Sequence, residues 1–200
     1  MKQIQALRYG GLVGVIGAAV YIISLIIHPF YETPETIVSQ AWLWAHILGF
    51  VSLLFLLVGL VAIYFKNVEA FGKLGTLGFA LSFMGIGGLS WINGFAAMAE
   101  PVLISQAPNL LDPNGPFFGG LAGIFFAITV IISIVGFLLF GIAAWRIKEK
   151  FSGIAIIIGT LPLVLFFIRP ETPEGIYSIA LIINSLGLLR LSYGVWSAKN

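Results

Sequence analysis

Two histidines and one glutamate are the residues of this chain whose chemistry stands out. His28 and His46 are the only histidines in 200 residues. His28 closes the first hydrophobic segment, and His46 lies near the start of the second, so antiparallel neighbours would hold both rings at a similar depth. Glu100 closes the third segment at the same level. Two imidazoles and a carboxylate form a ligand set suited to zinc, iron or manganese.

Two facing imidazoles alone could ligate a b-type haem in an apolar slot between helices. A simpler interpretation is that His28 caps helix carbonyls and that His46 hydrogen-bonds a neighbouring helix. No close-spaced metal motif such as H-x-x-x-H is present. We therefore predict no cofactor, and we keep a haem b or a divalent metal at His28, His46 and Glu100 as the alternative.

Five further polar or aromatic residues are candidates for contact with a ligand. They are two acids of the first outer loop, an interfacial tryptophan and two amides within hydrophobic segments: Glu32, Glu35, Trp44, Asn93 and Asn184. An unpaired amide is unfavourable in hydrocarbon, so the two amides are expected to bond across helices more readily than to bind a solute. No nucleophile elbow, phosphate loop or H-E-x-x-H motif is present. We therefore predict no catalytic residue.

The composition is typical of a membrane protein. Hydrophobic residues make up 60% of the chain and charged residues 9%, against about 25% charged residues in soluble domains. Mean hydropathy is +1.07. Residues 1–200 are expected to form a single all-α domain, a polytopic bundle of six transmembrane helices. Charge-free windows place these helices at about 8–28, 34–65, 73–99, 117–147, 151–168 and 173–197.

The charges indicate how this bundle lies in the membrane. Of the ten basic residues only Arg169 falls on one face, and the other nine share the opposite face: Lys2, Arg8, Lys66, Lys73, Arg146, Lys148, Lys150, Arg190 and Lys199. The positive-inside rule then predicts a multi-pass protein of the cell membrane with both termini cytoplasmic. The bilayer is the expected partner, with a membrane protein or a second copy as further candidates. Nucleic-acid binding is not expected, because the cations sit at the ends of hydrophobic segments.

Small residues and prolines predict how the helices pack and end. Gly10, Gly14 and Ala18 recur every four residues, which favours close helix packing. Pro162 lies inside the fifth segment and is expected to kink it. The string Glu-Thr-Pro-Glu occurs at 32–35 and again at 171–174, where Thr-Pro-Glu is a typical helix start. Three repeated hairpins would explain this, but the preferred interpretation is that all helix ends share this sequence pattern.

Several of these motifs together resemble small uncharacterised multi-pass membrane proteins of bacteria and archaea. The resemblance covers roughly the first 150 residues and is carried by the following motifs: His28-Pro29, Thr33-Pro34-Glu35, Trp42-x-Trp44-Ala45-His46-x-Leu48-Gly49, Gly59 through Tyr64, and a glycine-rich third helix. It implies a fold and a compartment but no reaction.

Three functions remain open from the sequence. The first is a non-enzymatic membrane module that binds a partner helix, a lipid or a small apolar ligand through faces rich in glycine and aromatic residues. The alternative is a metal- or haem-binding membrane protein that uses His28 and His46 near the outer surface. Solute transport is a weaker candidate function, because the Glu-Thr-Pro-Glu repeat relates only the outer loops to each other.

The charge asymmetry gives a direct prediction of orientation. A reporter fused after Asn200 should be cytoplasmic, and one inserted between Asn109 and Asp112 should be external, because nine cations share the face that holds both termini. Protease protection in sealed vesicles measures both positions. An external C-terminal reporter would disprove the six-span count.

Overall fold

The structure is a computed structural model that describes residues 2–111, 115–117, 119–169 and 171–198. Every regular element within these ranges is helical, so the predicted all-α class is confirmed. Five helical stretches in the same ranges are long and apolar enough to cross a membrane, judged by length and composition. Asp112, Lys199 and the side chain of Lys2, which entered the sequence argument, lie outside the description.

Eight α-helices and two 3₁₀ turns follow one another along the described chain. The α-helices are α1 (Lys2–Ile27), α2 (Pro34–Ile37), α3 (Gln40–Met98), α4 (Glu100–Gln106), α5 (Leu121–Arg146), α6 (Lys150–Thr160), α7 (Leu165–Ile168) and α8 (Glu174–Trp196). The 3₁₀ turns are Pro108–Leu110 and Leu161–Val164. The second of these turns contains Pro162 and separates α6 from α7, because proline removes a backbone donor and disrupts α-helical bonding.

The helix expected from residue 34 is divided in two. Thr33 caps α2, which ends after one turn, and a new helix begins at Gln40. The Ser39 side-chain oxygen accepts a hydrogen bond from the Trp42 amide at 3.2 Å, which satisfies a free donor at the start of α3.

The long helix α3 reverses direction at Gly72. As one straight rod its 59 residues would extend on the order of 90 Å, about three times the hydrocarbon thickness of a bilayer. Gly72 has φ 57° and ψ −161°, a conformation essentially restricted to glycine. The first arm (40–71) and the second arm (73–98) therefore lie side by side, and Trp42 Nε1 donates to the Ala96 carbonyl at 2.9 Å.

The long helical segments are arranged as a closed ring in the described part of the chain. The order around the ring is α1, the first arm, the second arm, α5, α6 with α7, and α8, which packs back against α1. The core lies inside the ring, and its buried members come from several helices, among them Ile63, Ile86, Phe140, Ile156 and Leu188.

Neighbouring helices approach closely at small residues. A Cβ atom built on Gly14 would lie 2.7 Å from the Gly59 Cα and 2.6 Å from the Ser192 Oγ, so α1, the first arm and α8 meet where no larger side chain fits. The expected small-residue face is confirmed, because Gly10 abuts Ala62 and Ala18 is fully buried. The same kind of contact recurs around the ring, at Gly78 with Phe140, Gly141 with Gly153, and Gly159 with Asn184.

The two ends of the ring carry opposite charge. The cationic end holds the start of α1, the Gly72 reversal, the α5–α6 connection and the end of α8. There Arg8 Nε donates to the Trp196 carbonyl at 3.1 Å, and Lys66 Nζ donates to the Gly194 carbonyl, so both cations stabilise the C-terminal end of α8. The acidic end holds the other connections, with Glu32, Glu35, Glu100, Glu171 and Glu174.

The Gly14 contact predicts that the same substitution, glycine to alanine, has different effects on stability at Gly14 and at Gly87. Gly14→Ala should lower the free energy of unfolding by about 1–3 kcal/mol, because the added methyl group separates two backbones. Gly87→Ala is the matched control, since a Cβ there meets nothing within 4 Å, and it should be neutral or slightly stabilising. Thermal unfolding in detergent measures both changes. Equal behaviour of the two variants would show that the Gly14 contact does not stabilise the ring.

Candidate functional site

A cavity of about 540 Å³ lies inside the ring at the acidic end. This volume falls within the range of small-molecule sites in proteins. Side chains from α1, both arms of α3, α4, α5, α7 and α8 line it, so its shape depends on the whole ring. Leu111, which follows the 3₁₀ turn after α4, also lines it.

The cavity is polar toward the acidic end and apolar further in. Glu174 lies in the first turn of α8, whereas Leu181 lies two turns deeper on the same helix, about 10 Å along its axis. Other apolar side chains line the cavity at several depths: Leu25 and Phe166 lie near their helix ends, and Ile92, Phe126 and Leu89 lie further in. A ligand that spans the cavity would therefore meet carboxylates at one end and hydrocarbon at the other.

The loop after α1 closes on the start of α8 and brings two of these carboxylates to the same cavity. The Gly175 amide donates to the Phe30 carbonyl at 3.0 Å. A Cβ atom on Gly175 would overlap the Phe30 ring, so the ring lies directly over the helix backbone. This contact places Glu32, from the loop, and Glu174, from α8, on the cavity wall.

Three aromatic rings form a triad of His28, Trp42 and His46. Trp42 and His46 are four residues apart on the first arm, and their ring centroids lie 4.1 Å apart. The His28 ring meets Trp42 at 5.3 Å and His46 at 4.9 Å. Trp42 is only 1% exposed, and its bond to Ala96 fixes the triad against the second arm. The sequence prediction that the two imidazoles face each other is therefore confirmed.

Both imidazoles are oriented by backbone carbonyls. His28 Nδ1 lies 2.8 Å from the Pro29 carbonyl oxygen, and His46 Nδ1 lies 2.9 Å from that of Trp42. A carbonyl oxygen only accepts hydrogen bonds, so each Nδ1 carries the proton, and in the neutral ring Nε2 is the free acceptor. Burial lowers the pKa of His28, which favours this neutral form. Backbone bonds of this kind also orient histidines that ligate metals.

A complete metal-ligand group is not present in the described residues. No three histidine, aspartate or glutamate side chains there lie close enough together to hold a metal ion, so His28, His46 and Glu100 share the cavity without forming such a group. The two imidazoles also touch edge to face, which leaves no space for a porphyrin plane between them.

The three carboxylates of the cavity perturb one another. Burial and, to a smaller extent, the negative charge of Glu32 raise the pKa of Glu100 to about 8. Glu32 lies at the cavity rim, where its side chain is exposed to water. The surrounding protein still displaces part of that water, and this desolvation raises the pKa of Glu32. The described lining residues include no lysine or arginine that would offset these charges. The cavity therefore favours a positive charge.

The other candidates from the sequence lie in different places. Asn93 lines the cavity and donates to the Leu89 carbonyl of its own helix at 2.9 Å, and its oxygen occupies space left by the missing side chain of Gly49. Asn184 instead bonds across to α6, with its Nδ2 2.9 Å from the Thr160 Oγ1. Trp44, 53% exposed, and the exposed Glu35 do not line the cavity.

Sequence reasoning missed several lining residues. Glu174 stood out only as the acid of a typical helix start, and Tyr21 and Tyr177 were not among the candidates. The spacing of Glu174, Tyr177, Ser178 and Leu181 on one face of α8 was the signal that could have identified this wall. Tyr177 is 7% exposed, and its buried hydroxyl makes no hydrogen bond of good geometry with the described residues.

Comparisons with protein-family models, with curated proteins and with solved structures gave no match. The fold and the cavity together define an all-helical protein with several apolar helices long enough to span a membrane and a cavity lined by acids and aromatic rings. Its function has to be inferred from that cavity.

The raised pKa of Glu100 predicts a pH-dependent stability. Between the ordinary pKa of 4.5 and about 8, folded Glu100 keeps a proton that the unfolded chain has lost, so the free energy of unfolding falls as pH rises through this window. We expect a loss of about 1 kcal/mol, or about 2–4 °C in melting temperature, because water in the cavity screens the charges.

Glu100→Gln should reduce this pH dependence, and Glu35→Gln, at an exposed glutamate outside the cavity, should leave it unchanged. Melting curves in detergent from pH 5 to 8.5 measure the effect. A wild-type melting temperature that stays flat over this range would contradict the burial of Glu100.

Proposed function

We propose that this protein crosses the cell membrane six times and has both termini in the cytoplasm. The two arms of α3 support six crossings, because the chain reverses at Gly72 and each arm is long enough to span a bilayer. The cationic end, where α1 begins and α8 ends, would face the cytoplasm under the positive-inside rule. The cavity would then open toward the outside.

The function proposed for it is to bind a small amphipathic molecule, such as a lipid or a lipid-like solute, without catalysing a reaction. The observation that carries this proposal is the cavity itself, whose 540 Å³ run from carboxylates at the acidic end to hydrocarbon deeper in. Sites for small molecules share this design, an apolar wall with few polar groups that fix orientation. The residues that would bind the ligand are Glu32, Glu100, Glu174, Asn93 and the aromatic triad.

A partner helix is a weaker candidate for the ligand. The small-residue faces that suggested helix binding are occupied within the chain, since Gly14 packs on Gly59 and Gly159 packs on Asn184. The ring is closed by the contact of α8 with α1, so these interfaces are not free for another helix.

The test of ligand binding uses a substitution that fills the cavity. Leu181→Phe should reduce the affinity for 1-hexanol, a small neutral amphiphile, at least tenfold, or about 1.4 kcal/mol, because the larger ring takes the space of the alkyl chain. Ile179→Phe, on the lipid-exposed face of the same helix, is the matched control and should bind as the wild type does. Calorimetry in nanodiscs measures both, and equal affinities would place the bound alcohol outside the cavity.

A divalent metal at His28 and His46 is the second candidate function. The observation that favours it is the orientation of both rings by backbone carbonyls, which leaves each Nε2 as a potential ligand. Water or a carboxylate would have to complete such a site.

Elemental analysis of the purified protein tests this second function. Stoichiometric zinc, iron or manganese that is lost in both His28→Ala and His46→Ala would support it, because one missing ligand opens the site. His46→Gln would then also lose the metal. Without a metal, His46→Gln should be nearly silent and His46→Ala should cost about 1 kcal/mol through the lost hydrogen bond to Trp42.

A further inference from the structure

The positions of three glutamates indicate which chemical class of ligand the cavity binds. Glu32, Glu100 and Glu174 belong to separate elements, the loop after α1, the start of α4 and the start of α8, yet all three line one cavity. Carboxylates that share a cavity repel one another unless protons or a cation neutralise them.

The remaining walls favour an organic cation over a bare metal ion. Aromatic side chains line the cavity on several sides, namely Tyr21, Trp42, Phe126, Phe166 and Tyr177. Aromatic faces attract ammonium groups and also pack against the alkyl carbons attached to them. Within the described residues the carboxylates and imidazoles form no group of three that could hold a metal ion.

An unsatisfied hydroxyl gives an independent indication of a ligand. Tyr177 lines the cavity one turn below Glu174, is 7% exposed, and its hydroxyl makes no hydrogen bond of good geometry in the described part of the chain, where the Thr172 side chain lies nearby. A buried polar group without a partner is unfavourable by about 1–3 kcal/mol. The N–H group of an amine could donate to this oxygen and to the carboxylates together.

We propose that the ligand has an organic ammonium head, bound between Glu32, Glu100 and Glu174 with Tyr177 as an added acceptor, and an alkyl or aromatic body against Phe126, Phe166 and Leu181. This inference rests on the proposed function, since it names the class of small amphiphile that the cavity takes. Arg169, the only basic residue expected at this end, does not line the cavity and does not compete for the carboxylates.

The experiment compares three six-carbon probes of equal length: hexylammonium, 1-hexanol and hexanoate. Calorimetry at pH 8 with the full chain in nanodiscs of neutral lipid should show hexylammonium binding at least tenfold more tightly than 1-hexanol, and hexanoate more weakly than either. Glu100→Gln should weaken hexylammonium binding about tenfold and should weaken 1-hexanol binding much less, because the alcohol carries no charge. Glu35→Gln, on an exposed carboxylate outside the cavity, should change neither affinity.

The pH dependence gives a second readout of the same site. Hexylammonium affinity should rise from pH 6 to 8.5, because the alkylammonium stays charged while the carboxyls lose protons, as the raised pKa of Glu100 requires. The titratable groups that face this head are the three glutamates, His28, His46, Tyr21 and Tyr177. Each of them can only lose protons as pH rises, so none opposes the increase in affinity for a cation. Glu100→Gln should flatten the rise.

The outcomes separate the two proposals. Equal affinities of hexylammonium and 1-hexanol, or tighter binding of hexanoate, would overturn the ammonium inference and leave the ligand-binding function intact. If none of the three probes binds, both proposals fail. Loss of hexylammonium binding in Glu35→Gln as well as Glu100→Gln would place the ammonium ion on the outer surface, which also overturns the inference.

Discussion

Close approach of helix backbones at glycine is the interaction on which the rest of this structure depends. Lipid tails are as apolar as leucine, so burying hydrophobic side chains does not by itself hold helices together in a bilayer. Close van der Waals contact between helices has to hold them together instead. Main chains touch at Gly14 with Gly59 and at Gly141 with Gly153, where any side chain would keep them apart. Because such contacts join neighbours all around the ring, the helices cannot shift one at a time.

The ring explains why the cavity lies at one end only. Deep in the ring, large side chains such as Ile63, Phe140, Ile156 and Leu188 fill the centre. Toward the acidic end the helices stop or bend, because the short helices and turns there begin at or contain proline: Pro34, Pro101, Pro108 and Pro162. The walls at that end are loops, helix ends and the α7 segment, and the space that they enclose is not filled by their side chains.

The rigidity of the ring also accounts for the raised pKa values of Glu32 and Glu100. In a flexible loop Glu32 and Glu100 would separate and ionise normally, but the ring and the Gly175–Phe30 contact hold them at one cavity. Their repulsion is thus opposed by helix packing elsewhere in the molecule. In preorganised binding sites, folding holds the binding groups in place before a ligand arrives, so binding does not have to bring them together.

The sequence by itself determined the class of the fold and the distribution of charge. Helix formation in lipid follows from the need to satisfy every backbone hydrogen bond, so long apolar segments suffice to predict it, and the pairing of His28 with His46 followed from their matched depth. Only the tertiary structure decided which helices are neighbours, since six segments of similar hydropathy can be ordered in many ways and the choice lies in contacts such as Gly78 with Phe140. It therefore also decided that Glu174 and Tyr177 share a cavity with Glu32 and Glu100, whereas Glu35 and Trp44 do not. Residues distant in the chain meet only through that packing, and no local pattern encodes it.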